Sequence, residues 1–220
     1  MRGLMLARRG LDSPGARALL ILALLAPACA QQPLGPAPDP EFSYLPYDTP
    51  DGLVENFARS WRQMDLAEYG DRVLYDGNLP AVDGRRYRSF VFYNEPGFAG
   101  EATLDYATEL AKAGSIFSGV HGRMPGVASI ELSLVRVGAW TALPAGGTLA
   151  GDPYPPGCLR ARFATLLVLH LKPGHPTRGA LRELHADAPQ ELVLIPVAAA
   201  GAGGEAGYRL WKWWELAEQD

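Results

Sequence analysis

The chain has 220 residues, with 24 Asp and Glu against 20 Lys and Arg and a formal net charge of −4 at pH 7. That length can bury one substantial core, and the acidic balance argues against nucleic acid as a partner, whose binding needs a basic patch to displace counterions. Its only cysteines are Cys29 and Cys158; if Cys29 is lipidated or removed, Cys158 has no intrachain partner and no disulfide framework supports the fold.

The first residues read as an export signal. Arg2, Arg8, Arg9 and Arg17 form a basic region with a single acid, Asp12, and Ala18–Ala26 follows as nine uninterrupted apolar residues. A permanent membrane-crossing helix needs about 20 such residues. The shorter run, followed by the small residues Ala26, Ala28 and Ala30, suits a signal peptide over residues 1–28. Two cleavage patterns overlap there. Ala26-Pro27-Ala28-Cys29 resembles a bacterial lipobox, which would leave a lipidated Cys29 at the new N-terminus. Ala28-Cys29-Ala30 fits ordinary A-x-A cleavage, which would discard the cysteine.

Residues 29–43, including QQPLGPAPDP at 31–40, form a Pro-rich tether that favours the lipid anchor. The expected location is therefore the bacterial cell envelope, with a membrane anchor at Cys29. The outer membrane is preferred, because Ala30 stands where an inner-membrane retention Asp would be; a soluble periplasmic or secreted protein is the alternative. Removing the leader, with its four Arg and one Asp, leaves about −7 on the remainder. Attraction to anionic lipid therefore adds nothing to the anchor.

The folded domain is expected over residues 44–220. Thr49-Pro50-Asp51 is a helix start, with Thr as N-cap, Pro at the first helical position and Asp near the positive end of the dipole. Leu53, Val54, Phe57, Ala58 and Trp61 then recur at the spacing of one buried helical face. Asp65 can cap a second helix to about Val73, with Leu66, Tyr69 and Val73 as its stripe. Asp76-Gly77-Asn78 and Asp83-Gly84 mark turns, and Arg86–Tyr93 is rich in strand-forming residues.

A third helix is expected over Glu101–Ala113, with Leu104, Ala107, Leu110 and Ala111 inward and Gly114 as its stop. Ile130–Leu134 alternates as a half-buried strand. Leu159–Leu171, Gln190–Val197 and Tyr208–Leu216 are further strands, separated by excursions at Pro144–Gly157 and Pro173–Pro189 and by a turn at Ala198–Gly207. Arg178–His185 could hold a short helix. Helices first and strands last predict an α+β domain with helices packed on one face of an antiparallel sheet. Cys158, beside Pro155-Pro156-Gly157, reads as a small residue entering a strand.

With that α-α-β-α-β-β-β-β order, the chain resembles the nuclear transport factor 2-like superfamily, also called SnoaL-like or cystatin-like cone. The likeness rests on Thr49-Pro50-Asp51-Gly52-Leu53-Val54-Glu55-Asn56-Phe57, on Met64-Asp65-Leu66-Ala67-Glu68-Tyr69, and on Tyr208-Arg209-Leu210-Trp211-Lys212-Trp213-Trp214-Glu215-Leu216. The resemblance implies N-terminal helices in the concave face of a curved antiparallel sheet, a cone whose mouth can hold a ligand, and uncharacterised bacterial lipoproteins as relatives. Enzymes of this superfamily, such as ketosteroid isomerases and polyketide cyclases, use an Asp base with Tyr or Asp hydrogen-bond donors in a dry cavity. Many relatives only bind or assemble.

The candidate ligand-pocket residues are Phe92, Tyr93, Asp105, His170, Trp211 and Trp213. Strict alternation would put Trp211 and Trp213 on one face with Arg209 and Glu215, and Trp214 on the other with Leu210; packing against the first helix is the competing role. Tyr93 could donate a hydrogen bond to a ligand, and Asp105 or Glu131 could serve as a base if turned inward. His170 lies in an apolar strand with Val168 and Leu166. His121, His175 and His185 lack metal-ligand spacing. There is no G-x-S-x-G, P-loop or dinucleotide fingerprint, and Gly201-Ala202-Gly203-Gly204 lacks the helix a phosphate site needs. No catalytic residue, metal or cofactor is expected. The predicted role is a non-catalytic envelope lipoprotein that binds a small apolar ligand or an envelope protein, with a homodimer as a further expectation. A small SnoaL-like or ketosteroid-isomerase-like enzyme acting on an apolar ligand is the alternative.

Overall fold

The computed structural model describes residues 43–95, 100–122, 124–175, 182–199 and 206–216. The signal segment, Cys29 and most of the tether lie outside the described residues. Helix α1, Pro50–Gln63, begins as its sequence dictates: the Thr49 side chain accepts from the Gly52 amide at 3.1 Å, and Met64 ends the helix in the left-handed region. Leu53, Val54, Phe57, Ala58 and Trp61 form its buried face. Before it, the lead-in is clamped by a side-chain amide. Leu45 N donates to Asn56 Oδ1 and Asn56 Nδ2 donates back to Leu45 O, both at 2.8 Å.

Asp65 caps the next turn by accepting from the Glu68 amide at 3.0 Å. Helix α2, Leu66–Glu68, continues as a π-turn over Tyr69–Val73 that buries Tyr69 and Val73. Strands β1 (Val91–Tyr93) and β2 (Thr103–Asp105) follow, then helix α3 (Tyr106–Phe117). Next come a short β3–β4 hairpin (Val120–His121, Met124–Pro125) and the long strand β5 (Val127–Ala142). A second small hairpin, β6–β7 (Thr148–Leu149, Asp152–Pro153), precedes β8 (Leu159–Leu171), β9 (Glu183–Ala186), β10 (Pro189–Val197) and β11 (Gly207–Glu215).

The main sheet runs β2-β1-β11-β10-β8-β5, with β9 also paired to β8. It curves around the helices as an α+β cone, helped by bulges in the β5–β8 and β10–β11 pairings, which bend and twist a strand locally.

Three sequence expectations need correction. The sheet is mixed, because β1 pairs β11 in parallel. Leu74 already bridges Leu210 in the parallel sense upstream, so the chain enters β1 alongside β11. The third helix starts at Tyr106 rather than Glu101: residues 103–105 pair with β1, and the Asp105 side chain caps the helix by accepting from the Thr108 amide at 2.8 Å. It also runs through Gly114 to Phe117, so its buried face is Glu109, Ala113, Gly114, Ile116 and Phe117. Finally, Glu183–Ala186 is a strand pairing β8, while the earlier part of the proposed 178–185 helix lies outside the described residues.

The sheet carries apolar packing on both faces. The concave face meets α1, the π-turn and α3. The outer face carries a smaller core of Tyr75, Ala81, Tyr154, Cys158, Val193, Ile195, Val197 and Trp211. Part of the first Pro/Gly excursion covers it, contributing Leu149 and Tyr154, with Leu143 just before it. Cys158 is fully buried there, and burial pushes its thiol up to about 12. An unreactive small residue at the start of a strand is the role expected of it.

Candidate functional site

Where the aromatic residues of β11 point is decided by one bulge. Val193 pairs with Lys212 but Leu194 pairs with Leu210, so Trp211 is the extra residue. Trp211 and Lys212 then both face outward with Trp214, while Leu210, Trp213 and Glu215 face inward. The alternation that would have put Trp211 beside Trp213 is therefore broken. Trp211 is fully buried on the outer face and donates from Nε1 to Arg88 O at 2.7 Å. Tyr93 is also outward and stacks on Trp214 with ring centroids 4.6 Å apart.

Lys212, fully buried, completes this outer cluster. Its Nζ lies 2.5 Å from Asp152 Oδ2, 3.5 Å from the Tyr93 hydroxyl and 4.7 Å from the Trp211 ring centroid. Burial pushes the ammonium down, and Asp152 opposes that shift. Because Asp152 belongs to the β6–β7 hairpin, this pair pins the hairpin to the sheet.

Two other candidate residues are occupied elsewhere. Asp105 is exposed, and its carboxyl is held below the usual range by the Thr108 amide it caps. His170 faces outward between two carboxylates, Nε2 at 2.8 Å from Glu131 and Nδ1 at 3.2 Å from Glu183. Glu131 therefore does not turn inward either. Of the six pocket candidates, Phe92 and Trp213 meet inside the cone, centroids 4.8 Å apart. Tyr93 and Trp211 meet outside it around Lys212.

The inside of the cone is lined by rings in contact. Phe57 lies 5.2 Å from Trp213 and 5.7 Å from Tyr69, and Trp61 lies 5.7 Å from Tyr69 and 5.2 Å from Phe117. Enclosed by these rings is a polar pair that the sequence reading missed. Tyr69, from the π-turn, donates its hydroxyl to Glu109 Oε1 of α3 at 2.7 Å, and both side chains are buried. Burial pushes the Glu109 carboxyl toward its neutral form, opposed by the Tyr69 bond; burial and then the Glu109 charge raise Tyr69. The Trp61 indole N–H faces the same phenol without closing a hydrogen bond. A buried acid and phenol in hydrogen-bond contact are able to pass a proton. The available signal was spacing, since Glu109 falls on the stripe of Ala113, Ile116 and Phe117.

A second inward polar group spans adjacent strands. Gln190 on β10 pairs directly with Glu215 on β11, one step beyond the Leu192–Trp213 pair. Asn94 follows Tyr93, whose β11 partner is Trp214, and so comes level with Glu215. Thr165 on β8 lies two residues past Phe163, the β8 partner of Gln190, on the same inward face. All four are 8–9% exposed. Asn94 Oδ1, Thr165 Oγ1 and Gln190 Oε1 have no hydrogen-bond partner among the described residues, and neither has Trp213 Nε1. Such a group costs about 1–3 kcal/mol when left unpaired in a core. Glu215 is pushed up by burial and then by the Glu95 carboxylate, and the Glu95 amide opposes the shift.

A shallow cleft of about 140 Å³ lies elsewhere, between α1 and the edge strand β5, lined by Val54, Ala58, Arg62 and Leu132–Leu134 among others. It holds none of this chemistry. Among the described residues no group of three or more His, Cys, Asp or Glu could hold a metal ion, and no helix is long and apolar enough to cross a membrane.

The described elements are a few helices packed against a curved mixed sheet, the α+β class expected from the sequence. Three solved structures are similar to the chain. One is a nuclear transport factor 2-like superfamily protein from Salmonella enterica serovar Typhimurium, with TM-score 0.42 and 11% identity, covering 76% of this chain and 89% of that one. Another, from Novosphingobium aromaticivorans, has a proposed aromatic ring hydroxylase activity, with TM-score 0.43, 10% identity, and 77% and 87% covered. The third, from Streptomyces avermitilis, is a proposed dehydratase of the same superfamily, with TM-score 0.42, 13% identity, and 78% and 100% covered. At this distance no residue's role carries across. No protein-family model and no curated protein matches the chain.

Proposed function

We propose that the protein is a non-catalytic cell-envelope lipoprotein, held by lipid on Cys29 and spaced by residues 29–43, whose cone binds a small molecule. The observation that supports a binding role over a catalytic one is the chain of ring contacts through the interior, Trp213–Phe57–Tyr69–Trp61–Phe117. These rings seal the Tyr69–Glu109 pair against side chains rather than presenting it to a reacting molecule. Intact-mass analysis of the mature protein, alongside Cys29→Ala, tests the anchor. A mature wild-type chain beginning at Gln31 without lipid removes it from the account.

The enzyme reading has one specific observation in its favour, the buried Tyr69–Glu109 pair. It requires the wild type to convert an apolar ketone or polyketide-type substrate, and Glu109→Gln to stop conversion without loss of ligand affinity. Binding without turnover across such a panel supports the non-catalytic reading.

We also propose a second copy of the chain as the partner of the outer sheet face. Val135 and Val137 are each 60% exposed and Leu166 is 45% exposed, all on that face. Charge favours a two-fold arrangement with strands antiparallel. Glu131 and Glu183 lie toward one end of the patch and Arg160 and Arg162 toward the other, so the acidic end of one copy meets the basic end of its mate.

A further inference from the structure

We propose that Lys212, Arg88 and Tyr93 form a carboxylate-binding site on the outer face of the sheet, which Asp152 occupies as an internal ligand carried on a hinged flap. The ligand class is a small carboxylic acid with an aryl body. The site is separate from the interior of the cone.

One carboxylate oxygen collects the cluster. Lys212 Nζ lies 2.5 Å and Arg88 Nη1 3.5 Å from Asp152 Oδ2, and the Tyr93 hydroxyl is 3.5 Å from the same Nζ. Two cations converging on one anion are a geometry that recognises a carboxylate. Both are fixed by the main sheet. Lys212 and Tyr93 belong to the paired strands β11 and β1, and the Arg88 carbonyl accepts from Trp211 Nε1 at 2.7 Å.

The anion is the part able to leave. Among the described residues, the backbone of 144–157 makes no hydrogen bond to the rest of the chain, and β6 and β7 pair only with each other. The Leu143 amide closes the base of the excursion by donating to Cys158 O at 2.9 Å. Gly146 and Gly157, both left-handed, stand near its two ends. At the tip, Ala150 takes φ 51° ahead of Gly151, a conformation that favours Gly or Asn. A segment tied down by side chains and strained at its turn is one that opens locally.

Opening uncovers an apolar floor. Leu149 and Tyr154 of the flap pack in one cluster with Val193, Ile195 and Trp211 of the sheet. Lifting them leaves aliphatic and aromatic surface beside two cations, which an aryl carboxylate matches. An inorganic anion pairs the cations but leaves the floor to water. A neutral aryl compound covers the floor but leaves the buried Lys212 without a carboxylate. The ligand must displace Asp152, so its apparent affinity is the intrinsic one reduced by the fraction of open flap.

The test is calorimetric titration of the mature protein with phenylacetate and with 2-phenylethanol as its neutral counterpart, with hydrogen exchange of the flap followed in the same complexes. The expected result is saturable phenylacetate binding, at least about tenfold weaker binding of 2-phenylethanol, and faster exchange across residues 148–154 when phenylacetate is bound. Asp152→Asn removes the internal competitor and should tighten phenylacetate binding by about tenfold or more. Adding Lys212→Met to it should abolish that gain. If Asp152→Asn does not fold, Leu149→Ala, which loosens the flap without touching the charges, carries the same expectation of tighter binding.

Equal affinity for the two compounds overturns the carboxylate site. So does phenylacetate bound with the exchange of the flap unchanged, which places the ligand elsewhere, and so does an affinity that Asp152→Asn and Leu149→Ala both leave unaltered. A wild type that binds no phenylacetate also overturns it. None of these outcomes bears on the cone, whose binding role is tested by its own ligands.

Discussion

Glu109 lies under the rings of the cone with Tyr69 as its hydrogen-bond donor, and its burial makes a pH prediction. The folded carboxyl titrates above its ordinary 4.5, so above that pH the folded protein binds more protons than the unfolded chain. The stability linked to Glu109 is therefore fully present below pH 4.5 and is lost as pH rises through the folded pKa. Glu215 acts in the same direction for the same main reason. Denaturant midpoints should fall as pH rises above 4.5 in the wild type, and Glu109→Gln should flatten that fall. An identical pH slope in the wild type and in both the Glu109→Gln and Glu215→Gln variants would refute this account. Tyr69→Phe strands the buried acid without its donor and should cost about 1–3 kcal/mol in equilibrium unfolding. Glu109 was legible as a helical residue but not as a buried one, because a glutamate on an apolar stripe is ordinarily displaced to solvent. Its burial depends on Tyr69, which reaches it from a different element.

At the scale of single elements, capping and ion pairing set the expectations. Asp105 was a candidate base, but it starts α3, so Asp105→Ala should cost about 1 kcal/mol of stability with ligand binding intact. A loss of binding without a loss of stability would return Asp105 to the site. The Lys212–Asp152 pair is a stronger constraint. Lys212 is fully buried, and Asp152→Ala leaves its charge without the carboxylate, for which about 3–5 kcal/mol is typical. Lys212→Met combined with Asp152→Leu should recover most of that loss, because both desolvated charges are removed together. Urea unfolding of the two variants side by side makes the comparison. The same strand shows why the sequence misled on the tryptophans: period-two alternation in YRLWKWWE holds only where the pairing is regular, and an extra residue at Trp211 reverses every face beyond it.

For the whole molecule, the outer face of β5 and β8 is the surface left to association. Val135→Asp with Leu166→Asp should convert a dimer to monomer in size-exclusion chromatography with light scattering, with the thermal midpoint of the folded domain little changed. A wild type of strictly monomeric mass counts against the second copy as partner. Salt should weaken the dimer if the opposed Glu131–Glu183 and Arg160–Arg162 ends steer it.

Local chemistry determined what the sequence alone could decide. Thr49-Pro50-Asp51 and the 3.6-residue stripe specify α1, Asp65 starts the next turn, and the β-branched and leucine-rich run from Leu159 to Leu171 is a strand with the bounds read from it. These signals act within a few residues of backbone, so they survive without knowledge of neighbours. Helices before strands were likewise enough to indicate an α+β domain with helices packed on one face of a sheet. Only the tertiary structure decided the parallel β1–β11 pairing, the bulge that parts Trp211 from Trp213, the burial of Glu109 against Tyr69, and the direct pairing of Gln190 with Glu215. The strand pairings are set by register, a property of the pair rather than of either strand's own residues, and the Tyr69–Glu109 contact by how α3 packs against the π-turn.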